Sequence, residues 1–523
     1  MDAIVTSALI GTAHQQEIDI NTGTPVDRLT EQIAAGEVER KLLLSTGVWA
    51  IYRQAGQVET SLPTIPTPAA TETLPVCSEK MARQVEAMLK GERADLLPDT
   101  LERLQRANLR LPHELLPTAL NTQEAELRVA IFPLLGERGR WLSQFNPAWS
   151  WVTQHLPGAA DTQLADAETI WQEGTPGQRK KILELLRAND PIKAREWLAT
   201  AWKQEKAEVR ADFLSTLEIG LSAEDEAFLE QALDDRAASV RALVPPLLAR
   251  IPTSAFVQRM QSCADTMLSY TQKKLIVTLP ASIDKEWERD GIVVKPPVYG
   301  GIGERTWWFA QVIQLVSPAY WQEHFGVSPA KLLAASHTDN EWKETLFTAW
   351  SRAAVLHKNI EWMSAFWDRW SQQQSETALW EIRTTLLTLL SQQEAEQKVL
   401  TILTNPKYAG KNEWERLLAV LPTPWSTAFG TAYLQELRQH IHTLKPRKNS
   451  YVYNSSWYQS TFIAARSLPP ECFALALEPW AVPTPPEPET ISRETEYWRQ
   501  ALDNLTEAVC IRKHILEEIE RAG

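Results

Sequence analysis

Four cysteines are all that this chain of 523 residues contains, and no two of them lie close together in sequence. The positions of Cys77, Cys263, Cys472 and Cys510 therefore exclude a CxxC metal or redox motif. Thiols this sparse are typical of a protein from a reducing, cytoplasmic environment. Long apolar runs are also missing, since no stretch approaches the roughly 18 apolar residues of a membrane-spanning helix. The N-terminus lacks the basic region of a signal peptide. We therefore expect a cytoplasmic protein without a membrane segment.

Positive charge is in deficit, because the chain has 53 lysines and arginines but 66 aspartates and glutamates, which gives a net charge of −13. Nucleic-acid binding needs clustered basic residues, so the balance disfavours a nucleic-acid partner. It disfavours an anionic membrane surface for the same reason. A basic protein partner stays compatible with this charge.

Catalytic signatures are absent as well. The histidines are scattered, and no Ser-His-Asp or Cys-His arrangement has a local motif. The glycine-rich stretch Gly300–Arg305 lacks the GK[ST] of a phosphate-binding loop and is better interpreted as a flexible turn. The sequence therefore predicts no catalytic residue, metal site or cofactor, and we expect a protein that is not an enzyme.

What the sequence does contain is an internal repeat between Gln178 and about Cys263. Equivalent positions recur at a period of about 31 residues: Arg179, Arg210 and Arg241; Ile182, Phe213 and Val244; Leu186, Leu217 and Leu248; Leu198, Leu229 and Met260. Apolar residues inside each unit follow helical spacing. Pro and Ser at the break within each unit suit a helix end followed by a new N-cap. Each unit is predicted to be two antiparallel helices joined by a short turn.

Asp234-Asp235 followed by Val240-Arg241 resembles a HEAT repeat, in which an acidic turn precedes a Val-Arg pair. The expected fold class is therefore all-α, a HEAT-like α-solenoid of antiparallel helix pairs. β-branched runs at Leu275–Leu279 and Ile292–Val294 interrupt the helical pattern. They predict a short irregular or two-stranded insertion near 271–303.

Prolines and changes of periodicity divide the chain into seven predicted segments. These are N-terminal helices (1–60), a Pro/Thr-rich linker (61–79), HEAT-like repeats (80–270), an irregular connector (271–303), a Trp-rich helical domain (304–480), a Pro-rich linker (481–490) and a C-terminal helix (491–523).

Tryptophans at helical spacing, such as Trp362 and Trp370 with Phe366 between them, favour a helical core over an exposed aromatic face. In the last segment an apolar seam from Trp498 to Ile519 predicts one long helix, and this seam lapses at Arg512.

One loop combines basic and aromatic residues. Its candidates for partner contact are Lys445, Arg447, Lys448, Tyr451, Tyr453 and Trp457. The commoner explanation is a solvated loop with anchoring aromatics. The functional alternatives are contact with an acidic partner, or with a single nucleic-acid strand stacking on the tyrosines.

Several stretches over the whole chain are similar to an uncharacterised bacterial family. They are Ala8–Thr12, Leu111–Pro117, Glu224–Glu230 with Asp235 and Val240-Arg241, Gly301–Trp308, and Tyr497–Arg499 with Ile511-Arg512. The resemblance implies genes beside those for a MoxR-type AAA ATPase, a von Willebrand A domain protein and a SWIM zinc-finger protein. It implies a helical-repeat subunit of such a system and supplies no catalytic residues.

The leading hypothesis is a non-enzymatic scaffold or adaptor that binds another protein, such as the ATPase or the von Willebrand A protein. The alternative is a nucleic-acid-binding HEAT-like protein, with Arg179, Lys180, Lys181 and the loop at 445–448 as its basic residues. An enzyme with an unrecognised site is the third hypothesis.

Overall fold

The computed structural model describes residues 2–12, 25–33, 38–55, 66–155, 164, 166–297, 301–336, 341–370, 378–405, 414–444, 455–483 and 493–522. The α-helices are Asp2–Ile10, Asp27–Glu31, Val38–Ala55, Glu79–Leu89, Leu97–Arg106, Leu116–Leu120, Ala125–Ile131, Gly136–Ser143, Ala167–Glu173, Pro176–Asn189, Pro191–Ala201, Ala207–Ser215, Glu226–Ala232, Ala238–Arg241, Val244–Ala249, Ala255–Met267, Lys285–Arg289, Glu304–Leu315, Pro318–Phe325, Pro329–Ser336, Lys343–Leu356, Ile360–Trp370, Ala378–Leu389, Gln392–Leu403, Glu415–Leu418, Thr427–Thr443, Ser456–Ser467, Phe473–Ala476 and Arg493–Ala522. Two strands accompany them, so the fold is all-α as predicted. Within the described ranges, every helix falls short of the length and apolar character that a bilayer crossing requires.

Two compact units divide the chain, Met1–Ala69 and Ala70–Gly523. In the first unit, Val38, Leu42 and Trp49 share one helix face and pack together. Its first helix ends at Ile10, and the next residue, Gly11, has a φ of +84°, a conformation that suits glycine. The finer boundaries predicted inside the second unit stay predictions.

The 31-residue register is visible in the core of the second unit. Nine apolar positions of the alignment are all buried: Ile182, Phe213, Val244, Leu186, Leu217, Leu248, Leu198, Leu229 and Met260. Caps begin the second half of each repeat. Asp190 and Ser254 accept hydrogen bonds from backbone N–H groups three residues on, and the N–H of Ser222 donates to the Asp225 carboxylate. Caps of this kind satisfy backbone N–H groups that a helix start leaves unpaired.

Helix packing in the second unit follows the order of the chain. Helix Pro176–Asn189 contacts Ala207–Ser215, Val244–Ala249 contacts Ala255–Met267, and this helix contacts Glu304–Leu315. The same succession continues through later helices to Arg493–Ala522, hereafter the C-terminal helix. This helix packs on Ser456–Ser467 and also on Leu97–Arg106, near the start of the unit. The last helix of the unit therefore returns to its first helices.

A tight two-stranded hairpin lies at the N-terminal edge of the insertion predicted near 271–303, although its first strand was not predicted. Strand Leu268–Thr271 pairs antiparallel with Lys274–Val277, with Thr271 opposite Lys274. Gln272 and Lys273 form the turn with φ values of 52° and 61°, which suits the right-handed twist of a hairpin. The apolar run beginning at Leu275 lies in this hairpin, whereas Ile292–Val294 forms no strand.

Large aromatic side chains belong to the core of the second unit. Trp350 and Trp362 are fully buried and meet edge to face, with ring centroids 5.2 Å apart. Phe366 is also fully buried one turn after Trp362. The prediction that tryptophans at helical spacing belong to the core is confirmed at these positions.

An extended segment, residues 66–77, lies before the first helix of the second unit, inside the stretch predicted as a Pro/Thr-rich linker. The backbone of Val76 bridges that of Arg110 in parallel. The Glu72 carboxylate accepts hydrogen bonds from the N–H groups of Glu137 (2.9 Å) and Arg138 (3.1 Å) at a helix start. Burial alone raises the pKa of Glu72, but these bonds and the Arg110 charge outweigh it and lower the pKa. Glu72 and Val76 are therefore held against other residues of the second unit, to which they belong.

Candidate functional site

The predicted contact loop is mostly beyond what the structure describes. Lys445, Arg447, Lys448, Tyr451 and Tyr453 all lie outside the described residues. The loop therefore stays a prediction at these five positions.

Trp457 is the one loop candidate within the described residues, and it belongs to the core. Only 3% of the residue is exposed. Its ring lies edge to face with Trp414 at 4.9 Å and stacks on His440 at 5.2 Å. Trp457 is the second residue of helix Ser456–Ser467, and its ring packs this end of the helix against its neighbours. In this position Trp457 is unsuited to direct contact with a partner.

The basic residues that a nucleic-acid hypothesis requires are partly neutralised. Arg179 forms an ion pair with Glu205 at 2.7 Å and lies over the Trp171 ring, 4.4 Å from its centroid. Lys180 lies 3.7 Å from a carboxylate oxygen of Asp212. Nucleic-acid binding relies on cations whose counterions can be replaced by phosphates. Because Arg179 and Lys180 are paired with carboxylates, fewer cations are free to bind phosphate here.

Between successive repeats, an arginine joins the acidic turn of the next unit. Arg210 donates to both carboxylate oxygens of Asp235, at 2.9 and 2.7 Å. Asp235 also accepts from the N–H of Ala237 at 2.8 Å. Burial raises the pKa of Asp235, but the hydrogen bonds from Arg210 and Ala237 outweigh it, so the pKa is lowered. The repeat alignment had placed Arg210 and Asp235 in the motif without predicting that they pair.

A second link of this kind was not predicted. Arg187 donates to the two carboxylate oxygens of Asp225 at 2.9 and 2.8 Å, and neither side chain has any exposed surface. Arg195 also donates to Asp225 at 2.9 Å. An arginine at the end of an apolar stripe, with an aspartate at a helix start, is too common a pattern to reveal such a pair.

A cleft of about 470 Å³ opens beside the Arg210–Asp235 pair. We call it the repeat cleft, and its lining residues are Ala199, Trp202, Lys203, Arg210, Phe228, Gln231, Ala232, Asp234, Asp235 and Arg236. Trp202 and Phe228 meet edge to face at 5.0 Å. The indole N–H of Trp202 donates to Asp235 at 3.1 Å, which fixes the plane of the ring. The aromatic wall is therefore held in place by the same carboxylate that joins the repeats.

The unneutralised charge of the repeat cleft is positive. Asp235 is taken by Arg210, and Asp234 accepts two hydrogen bonds from Arg289, at 2.9 and 3.0 Å. Lys203 and Arg236 are exposed, and within the described part of the chain neither forms an ion pair. A cleft of this kind on a chain of net charge −13 favours an anionic group beside an apolar one.

The described lining of the repeat cleft consists of aromatic, basic, acidic and small apolar side chains with one glutamine. Serine, cysteine and histidine are absent from its lining, and its two carboxylates are engaged by arginines. In the described ranges, no group of three His, Cys, Asp or Glu side chains is arranged to hold a metal ion.

The fold and the cleft together define an all-α protein of successive packed helices that carries a preformed groove. The chain belongs to the family of unknown function DUF5691, whose sequence model matches residues 3–519. The match covers nearly the whole chain and therefore both structural units. Among curated proteins, none matches the chain.

Proposed function

We propose that this protein is a non-enzymatic scaffold of the α-solenoid type, which binds another protein through the repeat cleft. The observation that carries the proposal is the combination of a fixed aromatic wall, Trp202 and Phe228, with two exposed cations, Lys203 and Arg236. Aromatic and arginine side chains in a groove are the residue types that dominate protein–protein binding energy.

The solenoid part of the proposal is supported by the packing order. Each helix pair in residues 176–267 contacts its neighbours in sequence, and the same pattern continues into the later helices. Stacked pairs leave grooves between repeats, and the repeat cleft occupies one of them. Grooves of this kind suit an extended segment of a partner.

The charge of the cleft sets the chemistry of the partner segment. An acidic side chain would meet Lys203 or Arg236, and a neighbouring apolar side chain would pack on Trp202 and Phe228. An exposed ion pair contributes only about 0.2–1 kcal/mol, so most of the affinity comes from the apolar contact and the charges provide selectivity.

The partner proposed from the family resemblance is the MoxR-type AAA ATPase or the von Willebrand A domain protein. The cleft is compatible with either, since acidic and apolar residues side by side are common on protein surfaces. The choice of these two candidate partners rests on the family resemblance. Direct binding to each purified candidate tests it.

The test compares wild-type protein with a Lys203→Glu/Arg236→Glu double variant in affinity purification from the native host, followed by direct binding to the purified candidates. A Lys331→Glu/Arg352→Glu variant is the matched control, because both residues are exposed, lie outside the cleft and give the same change in charge.

We expect a partner that wild type and control retain and that the cleft variant binds about tenfold more weakly. Recovery of the same proteins by all three forms, or by none of them, would contradict binding at this cleft. A shift of labelled DNA or RNA that depends on Lys203 and Arg236 would instead support the nucleic-acid alternative.

A further inference from the structure

The first unit exposes more apolar surface for its size than the rest of the chain. Of the seventeen large apolar residues that are exposed in the described ranges, seven belong to this unit: Leu9, Ile10, Leu29, Leu43, Leu44, Ile51 and Tyr52. Among the described residues of the unit, Val26 is the one apolar residue that is buried. A small unit that buries so little apolar surface is marginally stable by itself, and a contiguous apolar patch on a surface marks an interaction site.

Helix Val38–Ala55 carries the centre of this patch and has two different faces. Its inner face packs within the unit through Val38, Leu42 and Trp49. Leu43 and Ile51 point the other way, with 73% and 67% of their surface exposed. Residues three, four and seven positions apart share one side of a helix. One continuous exposed strip, hereafter the outer face, therefore consists of Arg40, Leu43, Leu44, Gly47, Ile51 and Gln54.

The first helix adds apolar surface at one end of this strip. The hydroxyl of Thr12 donates to the Glu39 carboxylate at 3.1 Å, so the end of helix Asp2–Ile10 lies next to the start of helix Val38–Ala55. Leu9 and Ile10 immediately precede this contact, and both are exposed. The open apolar surface is therefore wider than one helix.

The outer face is complementary to itself when two copies pair antiparallel about Gly47. In that arrangement, residues equally far from Gly47 on its two sides lie opposite one another. Leu43 and Ile51 are each four residues from Gly47, so the leucine of one copy meets the isoleucine of the second copy. Arg40 and Gln54 are each seven residues away and are matched in the same manner. Glycine at the crossing point allows the two backbones to approach closely.

Charges at the edge of the outer face favour the antiparallel orientation. Glu39 and Arg53 are exposed and stand fourteen residues apart, about four turns, which places them on the same flank of the helix. A two-fold axis brings equal flanks together, so Glu39 lies near Arg53 of the second copy at both ends. A parallel pair would instead set like charges at the same level. Arg40 lies opposite the uncharged Gln54, and Lys41 is half-buried on the other flank.

We infer that two copies of this chain associate through the outer face of helix Val38–Ala55, paired antiparallel about a two-fold axis at Gly47. Two-fold symmetry is the commonest among soluble oligomers and uses the same patch on both copies. The helix is about 27 Å long. With Leu9 and Ile10 beside it, we expect a buried area at the low end of the usual range of about 1,200–2,000 Å² and a dissociation constant in the micromolar range. The repeat cleft lies elsewhere, in residues 199–236, so this inference does not depend on the proposed function.

The first test is sedimentation velocity of the full-length protein over a range of concentrations. Ile51→Glu places a carboxylate on the outer face. Ile192→Glu is the matched control, because Ile192 is 60% exposed on a helix of the second unit and the charge changes equally. We expect wild type and control to dimerise and Ile51→Glu to do so about tenfold more weakly or less, since its carboxylate would be buried without a partner. Equal dimerisation of the two variants would overturn the inference. A wild type that stays monomeric far above micromolar concentration would also overturn it, by assigning the outer face to another protein.

The second test uses charge reversal, with energy transfer between differently labelled chains as the readout. Glu39→Lys and Arg53→Glu should each weaken self-association about fivefold, because like charges then meet at both ends of the pair. An equimolar mixture of the two variants should associate like wild type, since opposite charges meet again in the mixed pair. Such a recovery excludes misfolding as the cause of the weakening. A mixture that associates no better than either variant alone would contradict the antiparallel pairing.

The third test is cross-linking with a short bismaleimide. Gly47→Cys should be joined into a dimer, because position 47 lies on the two-fold axis and no atom lies within 4 Å of a Cβ there. Gln54→Cys should be joined far less, since position 54 lies opposite Arg40. Wild type, with its four native cysteines, gives the background. Preferential cross-linking through Gln54→Cys would show a parallel pair and overturn the proposed arrangement.

Discussion

The buried guanidinium of Arg512 donates a hydrogen bond of 2.9 Å to the carboxylate of Asp99, a residue 413 positions earlier in the chain. Arg512 has no exposed surface and also donates to the carbonyl oxygen of Ala465 at 3.2 Å. These bonds explain why the apolar seam of the C-terminal helix lapses at Arg512. The pair ties the last helix of the second unit to one of its first.

Replacing Asp99 with Asn should destabilise the protein by about 3–5 kcal/mol, because Arg512 would keep its buried charge without a carboxylate partner. The measurement is the free energy of unfolding in urea, with hydrogen exchange in residues 493–522 as a local readout. The matched control is Glu102→Gln, since Glu102 forms an exposed pair with Arg106 on the same helix. That control should cost less than about 1 kcal/mol. Equal effects of the two variants would show that the buried pair does not hold the helix.

Replacing Gly136 with Ala should release the extended segment that contains Glu72. A Cβ at Gly136 would collide with the Glu72 carboxylate, and the φ of +63° disfavours any side chain. We expect a loss of about 1–3 kcal/mol in stability and faster proteolysis within residues 70–77. Gly177→Ala is the control, because no atom lies within 4 Å of its Cβ, and it should leave cleavage unchanged. Unchanged cleavage in Gly136→Ala would contradict the role of Glu72 as the anchor.

Stability should fall as the pH drops from about 6.5 to about 4, owing to His357 and His440. Burial lowers the pKa of each histidine from the ordinary 6.5 to about 4. Within this window the unfolded chain binds more protons than the folded chain, so the free energy of unfolding rises with pH. The stabilising contribution is complete above pH 6.5 and is lost as the pH approaches 4. Urea denaturation at several pH values in this range measures how the free energy of unfolding changes with pH.

A His357→Gln variant tests the origin of this slope. His357 lies 3.3 Å from the carbonyl oxygen of Leu315, and glutamine can donate to that oxygen without titrating. We expect the variant to lose about half of the pH dependence, with His440 supplying the rest. A slope identical to that of wild type would assign the pH dependence to other groups.

Replacing Trp457 with Ala should destabilise the fold by about 3–5 kcal/mol, because the ring is buried against Trp414 and His440. The comparison is Phe462→Ala on the same helix, which should cost clearly less than Trp457→Ala, since Phe462 is 38% exposed and Trp457 only 3%. Urea unfolding measures both. If the Trp457→Ala protein kept normal stability but no longer bound a partner, Trp457 would have to be regarded as a contact residue after all.

The sequence by itself determined the helical class and the register of the repeats. Ile182, Phe213 and Val244 could be aligned because a helix buries one face at a fixed local spacing, and burial of an apolar face leaves a periodic trace. The break between the two helices of each repeat was equally readable, since helix caps act on N–H groups a few positions away. The Trp-rich helices were assigned to the core by the same local reasoning.

Only the tertiary structure decided which distant residues meet. Arg512 pairs with Asp99, Glu72 reaches the helix start at Glu137, and Arg93 meets the backbone of Asn504, all across large separations. No local spacing encodes such pairs, because any of 53 basic and 66 acidic residues could supply the partner. The repeat cleft likewise forms only where neighbouring repeats pack, between residues 199–210 and 228–236. Its positive charge could not be inferred from a chain that is acidic overall, because charge at a site depends on which ion pairs the fold completes.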